Sequence, residues 1–559
     1  MQEEQRARCW KWALTLVLGI GVALFWGVGY PHALSYQEQY QLFLWSADYF
    51  CQRIVVPGGL ADYLGEFVVQ FYYVPLLGAL LLGVLFALLQ GLTARQLSPR
   101  AYLLSFIPTL LLLRTMGDEN VLLSYLVALL LVLAAAAVGG HRANGGYGAN
   151  GSYKAYKSYE PYKSYKSYRP YRLACWLAVV ALLWWAAGPL AWLYVALQVV
   201  QHGWRRGWQV LWLLALQLGS YAFLLPQWPL RSVLLGHNYY RIPLELPVML
   251  WVIPLVILLL ALTARWMNSR LVVLMQGVLA VGAAIAVPSG YDRDKYELIR
   301  QDYLVRGERW DELISRAEHY QVPTAFSCNC VNLALAQKHQ LAERMFDFYQ
   351  SGDDALLMPR LRDLTSNLPT AEAFWRLGMV NSAIRYMTDL QASILNARKS
   401  GRMTQRIAEG CIVNGQYRVA EKHLALLRQS LFYRSWAEEA YTYLNNNARV
   451  DSHPVWGRLR QLRYRENFLY NYPEMDKMLG ILFSNNTQNR MALDYFMGQL
   501  LLRGNVQGFR QYMPWVQQHG GYSYMPLGYQ DAARFIQSRG QAEGTKYGEY
   551  VKRKMKTAQ

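Results

Sequence analysis

Residues 114–120, Arg-Thr-Met-Gly-Asp-Glu-Asn, place an arginine near two adjacent acids between two apolar runs, 101–113 and 121–138. Long apolar runs on either side of a short polar turn are typical of membrane-spanning helices, so we expect the turn at a membrane face. Carboxylates can accept a proton or bind a hard metal ion, and a nearby cation can stabilise a developing negative charge. This turn is therefore the first candidate for part of a reaction site.

The elements that would position this turn belong to an apolar first half. Only ten of the 37 acidic residues precede Tyr291, which is typical of a segment solvated by lipid. We predict an all-α protein in which residues 1–289 form a polytopic membrane helix bundle of about nine spans. Gly188-Pro189 joins two short apolar runs. As an alternative to two spans, these two runs are predicted to form a re-entrant hairpin. The predicted spans are 12–30, 67–89 (with Pro75 inside it), 101–113, 121–138, 173–187, 190–200, 210–225, 246–264 and 271–287.

The distribution of basic residues sets the predicted orientation. If the amino terminus is cytoplasmic, alternating spans put sixteen basic residues on the inner side and four on the outer side. Such a positive-inside bias predicts a multi-pass protein of the bacterial inner membrane whose carboxyl-terminal part is periplasmic. The first run, 12–30, is too long for a signal peptide and reads as an uncleaved span. The same inner loops account for much of the net charge of +19, so no nucleic acid is expected as a partner.

Two loops have distinctive compositions. Residues 139–172 contain a tandem Tyr/Lys/Ser run, which cannot bury a core and is predicted to be a cytoplasmic low-complexity linker. The first outer loop, 31–66, contains two aromatic-rich amphipathic stretches, 37–45 and 47–54. Both are predicted to be helices lying in the membrane interface.

The second half, residues 290–559, is predicted to be a soluble α-helical solenoid. Short units that begin with a turn residue and continue with apolar positions at helical spacing recur at 307–314, 339–346, 378–386 and 415–424, and 504–510 begins a later unit. Spacings of roughly 32 to 39 residues are typical of helix-turn-helix repeats. Residues 291–443 resemble tetratricopeptide repeats. Cys328 and Cys330 are interpreted as small residues of a helix, with a redox or metal role as the alternative.

The layout of residues 10–287 resembles membrane glycosyltransferases that use polyprenyl-phosphate sugars, the GT-C class. All seven non-cytoplasmic acids of the membrane half fall on the predicted outer face. Members of the class have many spans, a structured first outer loop with a catalytic acid, further acids in the next outer loop, and often an outer helical-repeat domain. The resemblance implies that Glu38 or Asp48 is the base or orienting acid. It also implies that Asp118 and Glu119 bind Mg²⁺, Mn²⁺ or the acceptor, and that Arg114, His237 and Arg241 contact the lipid-linked phosphate.

Two other readings remain open at this point. Acids are tolerated at an outer membrane face, and Asp118 and Asn120 are residue types that cap a following helix. The protein is then a non-enzymatic, membrane-anchored scaffold or assembly factor of the cell envelope, with a partner protein in the solenoid groove. A transporter would carry acids within its spans, and the sequence places none there. The pairing of a membrane half with outer repeats is also similar to an uncharacterised bacterial family of membrane proteins.

Overall fold

The chain folds into two compact units, Met1–Asp292 and Arg293–Gln559. The computed structural model describes residues 2–144, 168–203, 207–223, 228–245, 247–263, 270–396, 398–464, 472–538, 540–541 and 544–557. Most of the predicted linker, 139–172, therefore lies outside the described residues. Within them the secondary structure is all-α, apart from one isolated β-bridge between Val121 and Tyr240.

The first unit contains thirteen α-helices among its described residues. They are α1 Gln2–Leu24, α2 Pro31–Glu38, α3 Ala47–Ile54, α4 Gly59–Val69, α5 Pro75–Gln96, α6 Phe106–Thr115, α7 Leu123–Asn144, α8 Tyr168–Ala187, α9 Ala191–His202, α10 Trp208–Phe223, α11 Leu230–Leu235, α12 Met249–Thr263 and α13 Arg270–Ile285. Helix α1 packs along α5 at a pair of glycines. A Cβ added to Gly83 would lie 2.4 Å from the carbonyl oxygen of Gly19, so the small residues permit this close approach.

Three helical segments of the described chain are long and apolar enough to cross a membrane: Cys9–Gly29, Pro75–Gln96 and Ala174–His202. Leu123–Val138, Met249–Thr263 and Val273–Ile285 are shorter apolar helices. The structure thus establishes a helical unit with membrane-span candidates, and the number of about nine spans stays a prediction. Pro75 corrects the second predicted span, because proline lacks an amide hydrogen and begins α5 rather than lying within a helix.

The first outer loop differs in part from its prediction. Residues 47–54 form α3 as expected, whereas residues 41–45 have no helical structure. The physical reason is that four consecutive residues, 41–44, are all buried. An amphipathic helix in the interface would have exposed part of this run, whereas irregular backbone can bury each residue of it in turn. The aromatic side chains of this stretch, Phe43 above all, therefore belong to the core of the unit.

The second unit is a series of short helices that pack on their neighbours in the chain. They are α14 Arg293–Arg306, α15 Trp310–His319, α16 Ala325–Gln337, α17 Leu341–Arg344, α18 Leu368–Leu377, α19 Val380–Ala392, α20 Gly401–Val413, α21 Tyr417–Leu427, α22 Arg434–Tyr441, α23 Asn447–Ser452, α24 Trp456–Leu462, α25 Met475–Asn485, α26 Arg490–Arg503, α27 Val506–His519, α28 Leu527–Gln537 and α29 Lys546–Thr557. Each of the four helices from α18 to α21 packs against the next, and α25, α26 and α27 do likewise.

The turn residues of the recurring units have one conformation in common. Each unit includes a residue with positive φ at the end of one helix, just before the next helix begins. These residues are Glu308, His339, Gly378, Gly415 and Gly504, with φ between 54° and 82°. A left-handed residue is the usual way to end a helix, and glycine adopts it without a Cβ penalty. The local helix-turn-helix prediction is sound at these positions.

Buried charges tie three helices of the second unit together. Glu372 of α18 accepts contacts from Arg376 at 2.9 Å, Arg406 at 3.0 Å and Arg402 at 3.5 Å. Arg402 also pairs with Asp302 of α14 at 2.7 Å. The side chain of Glu372 is 3% exposed, so this network forms part of the core. Cys328 and Cys330 are also buried in α16, and burial raises the pKa of the Cys328 thiol to about 12.

Candidate functional site

Three distant segments of the first unit meet at one place, which we call the junction: α2, the turn 114–121 and the segment 236–241. Backbone hydrogen bonds join the turn, and Leu122 directly after it, to the segment 236–241. The Leu122 amide donates to the Tyr239 carbonyl at 3.0 Å, and the Arg241 amide donates to the Asn120 carbonyl at 2.8 Å. Gly236 permits this path with φ +105°, and a Cβ there would lie 2.3 Å from the Tyr239 ring.

The arginine of the junction, Arg241, is 2% exposed. Its Nη2 donates to Gln37 Oε1 at 3.0 Å, and its guanidinium lies 5.1 Å from the ring centre of Tyr36 and 4.7 Å from that of Tyr40. Two aromatic faces in this range stabilise a cation. Its Nε and Nη1 atoms are buried and have no hydrogen-bond partner among the residues that the structure describes. Arg241 is therefore a buried cation that retains unused donors.

The two acids of the turn are engaged by the junction itself. Asp118 accepts the Asn120 amide through Oδ1 at 3.0 Å and the Tyr240 hydroxyl through Oδ2 at 2.7 Å. Burial and then this contact with Asp118 raise the pKa of the Tyr240 phenol. Glu119 Oε1 accepts from Asn120 Nδ2 at 3.2 Å, and the Glu119 carbonyl accepts from Gln37 Nε2 at 2.5 Å.

This geometry also corrects the expectation that Asp118 and Asn120 cap the next helix. Helix α7 begins only at Leu123. The Asp118 carboxylate instead closes a short turn by accepting the backbone amide of Asn120, two residues ahead. A short carboxylate that accepts the amide two residues ahead is a common turn-forming interaction.

Among the described residues, no group of three or more His, Cys, Asp or Glu side chains lies close enough to hold a metal ion.

The remaining predicted residues lie around the junction or away from it. Glu38 is the last residue of α2 and is 3% exposed, next to Gln37. Asp48 is an exposed residue in the first turn of α3. Arg114 donates from Nε to Ser289 Oγ at 3.0 Å. His237 is buried, with its ring centre 5.2 Å from that of Trp228. The structure therefore brings Asp118, Glu119 and Arg241 together, whereas Asp48 is exposed on α3 and Arg114 contacts Ser289.

The sequence predictions missed a second polar cluster, formed by α3 and α4. Arg53 Nε lies 3.0 Å from Glu66 Oε2, and Arg53 Nη1 lies 3.9 Å from Asp62. The Tyr49 hydroxyl donates to Glu66, and all four side chains are largely buried. Two signals were available in the sequence: Asp62 and Glu66 are four residues apart on one helix face, and so are Tyr49 and Arg53. A fully paired cluster of this kind holds two helices together.

A separate apolar groove of about 700 Å³ lies in the first unit between α1, α4, α5 and α7. Its few polar residues are Lys11, Thr15, Gln90, Arg95 and Tyr102, and none of the seven predicted site residues lines it.

One comparison with known proteins gives a result. A protein-family sequence profile described as "Family of unknown function (DUF6057)" matches residues 7–558. No curated protein and no solved structure matches the chain.

Proposed function

Because the chain belongs to the DUF6057 family, whose function is unknown, its role must follow from its own residues, and we propose a non-enzymatic, membrane-anchored scaffold or assembly factor of the cell envelope. One observation carries this proposal. Both carboxylate oxygens of Asp118 are used by the fold, one by the Asn120 amide and one by the Tyr240 hydroxyl. Asp118 therefore has a structural role: its hydrogen bonds hold the turn 114–121 against the segment 236–241.

In this proposal the first unit is the anchor in the bacterial inner membrane. The three span candidates support an embedded unit, and the excess of basic residues in predicted inner loops supports a cytoplasmic amino terminus. With about nine spans, the second unit lies in the periplasm. Arg53 and Glu66 support the anchoring role, since a buried ion pair between α3 and α4 fixes the outer loop as a rigid base.

The second unit is proposed to be a tetratricopeptide-like solenoid that binds an envelope protein in its groove. Two features support this: neighbouring helices pack in chain order, and left-handed turn residues recur at the predicted unit starts. Each repeat of a solenoid packs only on its neighbours, which leaves an extended concave face for a partner.

A second candidate, a GT-C-like glycosyltransferase, is favoured by the unused donors of Arg241. A phosphate of a polyprenyl-phosphate sugar is the type of ligand that such a cation binds. Glu38 would then be the base, because it adjoins Gln37, which contacts Arg241, whereas Asp48 is exposed. Mg²⁺ or Mn²⁺ at Asp118 and Glu119 is less favoured, because the Asn120 amide and the Tyr240 hydroxyl already donate to the two oxygens of Asp118.

Binding of a polyprenyl-phosphate sugar to purified full-length protein in detergent distinguishes the two candidates. The scaffold proposal expects no saturable binding, and it expects the double variant Asp118→Asn/Glu119→Gln to behave as the wild type does. Arg385→Gln, an exposed change in the second unit, is the control for general effects of lost charge. Saturable binding that the double variant weakens, with Arg385→Gln unaffected, would replace the scaffold with the transferase.

A further inference from the structure

A cavity of about 330 Å³ in the second unit, which we call the cationic pocket, lies between the turn after α16, helix α18, helix α24 and the start of α26. Its charged and polar lining includes Glu308, Gln337, His339, Arg376, Arg458 and Arg490. Three arginines from three separate helices therefore converge on one small space. A volume of this size is suited to a small ligand, because pockets for such molecules begin at roughly 300 Å³.

The three arginines differ in how far the protein neutralises them. Arg376 is fully paired, with Glu308 at 2.8 Å and Glu372 at 2.9 Å. Arg458 is exposed and forms no ion pair in the part of the chain that the structure describes. The remaining positive charge of the pocket therefore comes from Arg458 and Arg490.

Arg490 is only weakly neutralised by the protein. Its nearest acid, Asp494, is 3.9 Å away, and the guanidinium instead lies 3.9 Å from the ring centre of Tyr522. The Asp494 carboxylate also accepts the Tyr522 hydroxyl through Oδ1 at 2.6 Å, so it is shared between Tyr522 and the more distant Arg490. Within the described part of the chain, the buried Nε of Arg490 has no hydrogen-bond partner.

The His339 imidazole is also affected by the positive charges of Arg458 and Arg490. It lies on the turn after α16 with φ +57°, and the Gln340 amide donates to the Leu335 carbonyl at 2.7 Å, which closes the turn. Partial burial, followed by the charges of Arg490 and Arg458, lowers the pKa of the His339 imidazole. Both arginines therefore act on one wall of the pocket, where an anion would meet their combined charge.

We propose that the cationic pocket binds a small oxyanion, a phosphate or carboxylate group carried on a body about the size of one sugar ring. Arg458 and Arg490 supply the charge and the N–H donors, and a guanidinium matches the geometry of either oxyanion. Gln337 and Gln488, which also line the pocket, provide polar surface for hydroxyl groups. This site lies within the second unit, and the inference holds whether the first unit anchors a scaffold or catalyses a reaction.

The test measures binding by calorimetry to the full-length protein in detergent, with glucose 6-phosphate, glucuronate and neutral glucose as probes. We expect saturable binding of at least one charged probe and none of glucose, and the stronger charged probe identifies the oxyanion. Arg458→Gln should weaken binding by about tenfold or more, since it removes one charge-assisted contact. Arg385→Gln, an exposed arginine outside the pocket, should leave binding unchanged.

Arg458 is the more informative position because its exposed side chain does not pack in the core. Arg490→Gln is a second variant with the same expected loss, and its fold is checked by thermal unfolding because Arg490 packs on Tyr522. The inference is overturned if neither charged probe binds, if glucose binds as well as the anions do, or if Arg458→Gln and Arg385→Gln bind alike.

Discussion

Replacing Glu372 with glutamine should destabilise the second unit more than any other single loss of charge described here. Glu372 is the common partner of Arg376, Arg402 and Arg406, at 2.9, 3.5 and 3.0 Å. Burial favours the neutral acid, but the charges of Arg406, Arg376 and Arg402 outweigh it and hold the pKa of Glu372 well below its usual range. The carboxylate is therefore ionised at neutral pH and compensates buried cations.

The expected loss of unfolding free energy depends on the ion-pair partners that the three arginines retain in the variant. Removing one partner of a buried ion pair costs about 3–5 kcal/mol, because the remaining charge stays buried without compensation. Here Arg402 keeps Asp302 at 2.7 Å and Arg406 keeps Glu409 at 2.6 Å, so the lower end of that range applies. Glu372→Gln should thus lower the unfolding free energy of this unit by about 3 kcal/mol.

Hydrogen exchange of the α18 and α20 amides in the full-length protein measures this change locally. The matched control is Glu308→Gln. Glu308 is also an ion-pair partner of Arg376, but the Glu308 side chain is 67% exposed. An exposed pair contributes about 1 kcal/mol or less, so the control should leave exchange nearly unchanged. If Glu372→Gln and Glu308→Gln had equal effects, the network would not contribute to the core as argued here.

Three further predictions concern other buried groups. Burial raises the pKa of Asp494 from 3.8 to about 6, so its contribution to stability is present below pH 4 and is lost as pH rises through 6. Asp494→Asn should therefore gain about 3 kcal/mol on the wild type between pH 3 and pH 7 in denaturant unfolding, and a pH-independent difference would contradict this. Tyr240→Phe removes the hydroxyl that donates to Asp118. It should lower the free energy of unfolding, measured in detergent, by about 1–2 kcal/mol, whereas an unchanged transition would show that this hydrogen bond does not stabilise the fold. Glu66→Gln should cost about 3 kcal/mol in the same assay by leaving Arg53 buried, and a loss no larger than that of Tyr240→Phe would refute the pairing argument.

The sequence could predict features that depend on nearby residues. Gly378, Gly415 and Gly504 mark helix ends because a left-handed turn favours glycine, and this requirement is readable from local spacing. The same local rule would have placed Pro75 at the start of a helix, and hydropathy alone put it inside a span. Helical class and the apolar first half likewise follow from composition and periodicity.

The candidate site could be predicted only in part. Arg241 and Gln37 are 204 residues apart, and their contact depends on how α2, the 114–121 turn and the 236–241 segment pack in three dimensions. Asp118 was recognised as a notable acid, but its partner Tyr240 lies 122 residues away. Whether such an acid is free for chemistry or occupied by the fold depends on this partner, which no local pattern specifies.

Rescue of a deletion strain of the native host under envelope stress distinguishes a scaffold from an enzyme. For a scaffold, we expect that Asp118→Asn/Glu119→Gln restores growth as the wild type does, at equal protein level in the membrane fraction. We also expect that a chain ending at Asp292, which keeps the first unit and removes the second, fails to restore growth although it reaches the membrane. Failure of the double variant together with rescue by the truncated chain would show that the protein acts through chemistry at the junction and not through a partner bound to its second unit.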